Sequence, residues 1–478
     1  MLSPQTPGVY IQEISTLPAS IAGVDTAIPA FIGYTEDATL LNVPTRITSL
    51  LEFIDKFGGA PEQSFALTLD DTYTDGELTS RVFSVADPTP SIFKLYHSLE
   101  FYFNNGGGPC YIVSVGSYSG GVVAPGTADP KLGLLGGIAA TEKVDEPTLY
   151  VFPDGISLAS EAEYGSVVKA SLEMCDKLKD RFTICDVWDN GTPTGITDYR
   201  SELGMTYLKY GAAYHPTLLT TLNYEIDKSV TITHNITVNG TAPGSPLDLT
   251  GIALAIIETG DPSDPQDSGY PDIYRSFEAE IKKKFMTLPA SGAVAGIYAR
   301  VDRDRGVWKA PANVSVNSVS APSVKITHEQ QAGLNVDAST GKSINVIRSF
   351  AGKGILVWGA RTLAGNDYEW RYVPVRRLYI FIEESVKKAT EFVVFEPNTA
   401  TTWVRVKAMI ENFLTSLWRE GALAGAKPEQ AFFVKVGLGE TMTSQDILEG
   451  RMNVEIGLAA VRPAEFIILK FSHKLQES

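Results

Sequence analysis

Residues 465–471 read Glu-Phe-Ile-Ile-Leu-Lys-Phe, and no other stretch constrains the chain as strongly. In an extended backbone Phe466 and Ile468 point one way while Ile467, Leu469 and Phe471 point the other. A strand apolar on both faces needs cover on both. The opposite end carries a second strand-like run, Gly8-Val9-Tyr10-Ile11-Gln12-Glu13-Ile14, bounded by Pro7 and Pro18. Two arrangements are open: each end strand completes the subunit's own sheet, or each adds to the sheet edge of another chain. Burying five large side chains is worth roughly 1.5–3 kcal/mol each, on the order of 10 kcal/mol gross. Ordering each backbone residue costs about 1–2 kcal/mol. One exchanged strand therefore holds weakly, and a repeating lattice of them holds strongly.

Between Ile28 and Thr220 strand-like and helix-like segments alternate, the order of an α/β layer. Ile28–Tyr34 is an apolar run; Leu50, Leu51, Ile54 and Phe57 repeat at helical spacing and stop at Gly58-Gly59. Residues 60–90, rich in Asp, Thr, Ser and Pro, read as a surface excursion. Ile92, Leu95, Tyr96, Leu99 and Tyr102 mark a helix, followed by strands at 110–115, 148–152 and 182–187 and a helix near 159–180. From Val230 to Val238 the period becomes two, ending at Asn239-Gly240, a hairpin signal. The stretch 221–250 reads as a β-rich insertion, and a helix follows near 272–285. Leu378, Phe381, Ile382, Ser385 and Ala389 form one later helical stripe, with Glu383/Lys387 and Glu384/Lys388 pairs four residues apart. Trp403, Val406, Ile410, Phe413 and Leu417 form another, ended by Gly421. Strands at 431–436 and 452–458 precede the terminal one. The fold class is α/β (mixed α+β). Its segments are an N-terminal arm (1–20), an α/β domain (21–220), a β-rich insertion (221–260), the rest of that domain (261–350), a C-terminal domain (351–462) and a C-terminal arm (463–478).

A net charge of −16 removes nucleic acid from the main partners, because phosphate binding calls for an excess of Lys and Arg. It suits solubility, or complementarity with a basic partner surface. Three cysteines make a poor disulfide framework; Cys110 and Cys185 sit in strand-like runs and read, with Cys175, as buried thiols. No window of 18 uninterrupted apolar residues occurs, so no spanning helix is expected. Met1–Pro7 lacks the basic start and apolar run of a secretory signal, which predicts synthesis in the cytoplasm.

Several near-motifs fail on inspection. Thr340-Gly341-Lys342-Ser343 ends like a phosphate-binding loop, but Val336 stands where its first glycine should be. His328-Glu329-Gln330-Gln331-Ala332 begins like a zinc-protease helix, with Ala332 in place of the second histidine. Gly116-Ser117-Tyr118-Ser119-Gly120 has Tyr where a nucleophile elbow needs Ser. Gly106-Gly107-Gly108 lacks dinucleotide-loop spacing and reads as a turn. Asp302-Arg303-Asp304-Arg305 offers paired carboxylates, yet the interleaved arginines fit an ion-pair network better.

Four stretches carry a family likeness. They are Thr6–Glu13 with Ala27–Tyr34; Gly292–Asn313 (Gly-Ala-Val-Ala-Gly-Ile-Tyr-Ala-Arg-Val-Asp-Arg-Asp-Arg-Gly-Val-Trp-Lys-Ala-Pro-Ala-Asn); Gly354–Leu363 (Gly-Ile-Leu-Val-Trp-Gly-Ala-Arg-Thr-Leu); and Phe432-Phe433-Val434 through Arg462-Pro463-Ala464-Glu465-Phe466-Ile467. Together they resemble the contractile tail sheath family of phage tails, tailocins and extracellular contractile injection systems. The likeness covers residues 1–34 and about 290–475 well, and the middle loosely.

The resemblance implies a structural, self-assembling protein with no catalytic site, no metal and no cofactor. Sheath subunits of the family stack as six-membered rings around a rigid inner tube in a metastable extended state. Triggered by the baseplate, they rotate outward and drive the tube through a target envelope. Expected partners are further copies of this chain, six per ring, an inner tube protein, and baseplate and tail-terminator or cap proteins. Nucleic acid and membrane insertion are not expected. The expected location is the cytoplasm at assembly, then a virion tail or a released injection particle. In the family both arms pair with strands of neighbouring subunits. That assigns Val9, Tyr10, Ile11, Gln12 and Glu13 to the N-terminal arm and Phe466, Ile467, Ile468, Leu469 and Phe471 to the C-terminal arm. The acceptor edge is expected at Val454, Ile456 and Leu458, the hinges at Pro18 and Pro463, and the insertion on the outside. The competing reading, an α/β enzyme of hydrolase type, rests on the alternating first half and on Asp302 and Asp304. A surface-layer component is a third, disfavoured by the missing secretion signal.

Overall fold

The computed structural model describes residues 21–189, 191–192, 194–264 and 268–469. In chain order its main strands are β1 (Pro29–Thr35), β2 (Thr45–Ile47), β3 (Leu67–Thr74), β4 (Glu77–Val85), β5 (Cys110–Ser117), β6 (Leu149–Val151), β7 (Phe182–Asp186), β8 (Gly211–His215), β9 (Ile232–Asn239), β10 (Val314–Ser315), β11 (Ile344–Phe350), β12 (Gly354–Val357), β13 (Phe432–Lys435) and β14 (Glu455–Leu458). The helices that matter are α1 (Leu50–Phe57), α2 (Leu95–Asn104), α3 (Glu161–Leu178), α4 (Pro271–Ile281), α5 (Ser291–Arg305), α6 (Val373–Thr390) and α7 (Ala400–Arg419). The chain divides into two compact units, Asp25–Arg377 and the remainder, whose described part is residues 21–24 and 378–469.

The first unit is built on a nine-stranded sheet ordered β10-β12-β11-β8-β7-β6-β1-β5-β2. The six strands from β11 to β5 run parallel; β2, β12 and β10 add antiparallel edges. Every residue of β1, β6, β7 and β8 is buried. Strands covered on both faces read as continuous apolar runs, which is why these were legible. Two glycines set one helix crossing. A Cβ at Gly292 would lie 2.5 Å from the Ser98 carbonyl oxygen, and one at Gly296 2.4 Å from that of Tyr102. Helix α5 therefore meets α2 backbone to backbone. At the far end of α5, Asp302 accepts two bonds from the Arg377 guanidinium (2.9 and 2.5 Å) and one from the Thr26 hydroxyl (2.6 Å). Asp304 pairs instead with exposed Arg303 at 3.1 Å.

The β-rich part departs from expectation in two ways. The surface excursion expected at 60–90 is an ordered hairpin: β3 and β4 join through Asp75 (φ 49°) and Gly76 (φ 90°), a two-residue turn that needs two positive φ values. The hairpin expected at Asn239-Gly240 does not form. Strand β9 lies parallel to β3, Ile232 opposite Leu67 and Asn239 opposite Thr74, so its partner is remote in sequence. The module has its own core, including Leu67, Leu69, Ile232, Ile257, Phe277 and Ile281. Beneath it, Arg81 binds Asp71 through two bonds (2.7 and 2.6 Å), and His234 Nε2 lies 3.2 Å from Asp71, with the Asp71 and His234 side chains fully buried.

In the second unit α7 buries Val406, Met409, Ile410, Phe413, Leu414 and Leu417. Leu378 and Ile382 are buried on α6, and Glu384 takes both Lys387 (3.1 Å) and Lys388 (3.6 Å). Residues 21–24 run beside α6: a Cβ at Gly23 would meet the Phe381 ring at 2.8 Å, and the Val24 N–H donates to Ser385 Oγ at 3.1 Å. Strands β13 and β14 pair antiparallel, Phe432 opposite Leu458 and Lys435 opposite Glu455. Of the strand expected at 465–471, residues 465–469 are described and carry no regular structure, as do 461–464.

Candidate strand-acceptor groove

The β13–β14 register determines which backbone groups remain open. The Ala459 N–H donates to the Ala431 carbonyl at 2.8 Å, so the opposed residues 433/457 and 435/455 also exchange ladder bonds. Ile456 and Leu458, at the alternate positions, turn their N–H and C=O groups to the other edge. Among the described residues β14 has β13 as its one strand neighbour. The Leu458 carbonyl on that edge accepts a bond from the Tyr379 hydroxyl at 3.0 Å. Gly457 lies against Phe433, and a Cβ there would come within 2.1 Å of the ring and displace it.

Beside this edge runs a groove of about 960 Å³. Every second residue from Gly450 to Leu458 lines it, including Met452, Val454 and Ile456, as an extended segment dictates. Its second wall is α6 at helical spacing (Tyr379, Ile382, Val386, Thr390), and its third is α7 (Thr402, Val406, Ile410). The 393–398 turn forms the lip. The site is therefore an apolar slot beside a strand edge that has no second strand partner among the described residues, the chemistry of strand addition.

Of the residues expected to act, Ile456 and Leu458 stand on β14 and Val454 just before it, all lining the groove. Phe466, Ile467, Ile468 and Leu469 are 69%, 79%, 81% and 71% exposed, off their own sheet edge. Pro463 lies in the irregular segment that leads to them. Residues Val9, Tyr10, Ile11, Gln12, Glu13, Pro18 and Phe471 fall outside the described residues. The sequence reading missed Tyr379 and the lip. The apolar spacing 379, 382, 386 was visible on α6, but it was absorbed into the neighbouring stripe.

Elsewhere the chemistry is structural. The carboxyl ends of β6 and β7 are where an α/β enzyme would place its groups. There Asp154 accepts from the backbone N–H groups of Tyr34 (2.7 Å), Lys94 and Leu95 (3.0 Å), and Asp186 from that of Ser291 (2.9 Å). Burial pushes these carboxyls up to about 6 and about 7, the backbone donors only partly offsetting it. Both are clamps on helix starts. Lys342 of the phosphate-loop lookalike is buried and donates to the Arg200 carbonyl, and Ser343 to that of Asn335 at 2.5 Å. His328 opens a short helix capped by Thr327. Among the described residues no group of three His, Cys, Asp or Glu is placed to hold a metal, and no helix is long and apolar enough to cross a membrane.

Comparison with known proteins gives the decisive observation. The phage tail sheath protein central domain matches residues 150–363 and the phage tail sheath C-terminal domain matches residues 366–474, together well over half of the chain. The chain belongs to the tail sheath family. Two solved structures resemble the sheath chain along its length. One, from the six-fold symmetrised baseplate of the anti-feeding prophage, is 34% identical with a TM-score of 0.62, over 99% of this chain and 100% of that one. The other, from the contracted sheath complex of the PVC extracellular contractile injection system, is 30% identical with a TM-score of 0.63, over 99% of each. The tail sheath protein of Vibrio phage KVP40 is 24% identical over 187 residues, 38% of the sheath chain. The match spans 26% of that relative's length. The sheath chain is a structural subunit, not an enzyme, as these relatives are.

Proposed function

We propose that this chain polymerises as stacked six-membered rings around an inner tube, attaches to a baseplate, and contracts to drive the tube through a target envelope. The observation that carries the reading is the β14 edge, without a second strand partner among the described residues, above its apolar groove and in the same chain as an exposed apolar run at 466–469. Glu465–Phe471 of one copy adds to β14 of the next, swinging at Pro463. The N-terminal run Val9–Glu13, leaving beyond Pro18, makes a second link to a neighbour. The whole-chain likeness to a contracted sheath and to a six-fold baseplate supports both the ring symmetry and the particle class, an extracellular injection system. The β-rich module, with its own core, then decorates the outside. The motion draws on packing energy stored at assembly, since no nucleotide site survives in the sequence.

Electron microscopy of the purified full chain tests this. Helical tubes with six subunits per turn of each ring are expected, and loss of tubes when residues 465–478 are deleted. Tubes of normal length from that deletion, or only discrete particles from the intact chain, contradict the reading.

A further inference from the structure

The lip of the groove carries an aromatic side chain in an unfavourable state. Phe395 is fully exposed (103%) and sits at φ 73°, a region that bulky side chains avoid. Its neighbour Val394 is also exposed. The turn cannot relax easily, because it is pinned on both sides. The Glu396 N–H donates to the Val393 carbonyl at 3.0 Å. Asn398 donates to the Arg451 carbonyl at 3.0 Å and accepts from the Trp403 indole at 2.6 Å. Phe392, 40% exposed, has the Arg405 guanidinium 4.7 Å from its ring centre, a partner that Phe395 lacks among the described residues. Strain and exposure at one lip residue, held by surrounding bonds, point to a contact completed by another molecule.

We propose that Phe395 is the roof of the strand site, packing over the outer face of Glu465–Phe471 from a second copy once that strand has added to β14. This rests on the strand-addition reading above and names the residue that secures the strand. The two faces of the donor strand decide the assignment. The groove floor of Ile382, Val386, Val406 and Ile410 covers one face, leaving the other to water unless something closes over it. Residues 466–469 are apolar on both faces and so need a roof. In the N-terminal run, Glu13 shares a face with Val9 and Ile11, and Gln12 shares one with Tyr10 and Ile14, so neither face demands the same cover.

Fluorescence anisotropy of a labelled peptide spanning residues 463–471, titrated with the full chain below its assembly concentration, tests this. The wild type binds, and Phe395→Ala weakens binding roughly tenfold or more, the size of an aromatic interface anchor. Its melting temperature stays unchanged or rises, because an exposed, strained ring is removed. Ile456→Arg, on the β14 wall of the groove, separates the two readings. If it abolishes binding while Phe395→Ala stays within twofold of wild type, the groove stands and the roof is overturned. If neither change matters, or the wild type does not bind, both fall. A peptide of residues 8–14 that alone responds to Phe395→Ala overturns the assigned occupant.

Discussion

Asp154→Ala is a direct test of how the first unit is clamped. The carboxylate is buried and accepts three backbone N–H groups, from Tyr34 in β1 and from Lys94 and Leu95 at the start of α2. Each buried N–H left unpaired costs about 1–3 kcal/mol, so the gross loss is roughly 3–9 kcal/mol. Against this, the variant escapes the penalty of holding a charge in the core. With the folded value at about 6 and an unfolded value near 3.9, that penalty is about 3 kcal/mol above pH 7. The net loss at pH 7.5 is therefore about 0–6 kcal/mol. The sign of the pH dependence follows from the raised folded value. The folded protein holds the proton more tightly, so the wild type gains stability as pH falls from about 7 toward 4. The alanine variant lacks this gain, so the gap between the two proteins widens by about 1–2 kcal/mol from pH 7.5 to pH 5. Asp186, pushed up to about 7, contributes with the same sign to both proteins and cancels in the difference. Urea denaturation followed by circular dichroism, at both pH values and below the assembly concentration, measures it. A variant more stable than the wild type at pH 5, or a gap that narrows or stays constant from pH 7.5 to pH 5, refutes the reasoning.

Three further outcomes follow from the same geometry. Asp71→Ala removes the buried partner of the Arg81 guanidinium and of His234 and, with Arg81 partly exposed, should cost the β-rich module about 2–3 kcal/mol; hydrogen exchange should rise in residues 65–85 and 230–281 and stay unchanged in β6 to β8. Gly457→Ala displaces the exposed Phe433 ring from the β13–β14 pair and should reduce tube formation, which Gly457→Ala with Phe433→Ala should restore in electron micrographs. The three thiols are buried, and burial pushes all of them up, Cys175 to about 12, so a thiol reagent at pH 8 should label none in the native chain and all three in urea.

Much of this was legible in the sequence where one physical rule acts locally. Strands β1 and β7 announced themselves as continuous apolar runs because both faces are buried. The stripes on α6 and α7 followed the helical period, and Gly58 and Gly421 ended helices as expected. The readings failed where the partner lay far away. Val230–Val238 alternates as a half-buried strand must, but alternation does not say with what it pairs, and β3 supplied the edge. The Asp75-Gly76 turn went unread because the Asp- and Thr-rich composition around it suggested a loop. At the groove, β14 was legible as a strand near 452–458, while its acceptor role came from the family likeness. Tyr379 and Phe395 were not, since a bond to an edge carbonyl and a positive φ leave no pattern in a one-dimensional string.

Engineered disulfide formation between two different copies tests the central claim most directly. One copy carries Ile456→Cys and the other Ile468→Cys or Phe466→Cys, and the two are mixed under oxidising conditions. Cross-strand neighbours come within about 4.5–5.5 Å at Cβ, close enough to be bridged after small adjustments. The account predicts disulfide-linked dimers from one of these mixtures and none from either partner alone. Bridging that occurs only when both substitutions lie in one chain, leaving monomers, would contradict it.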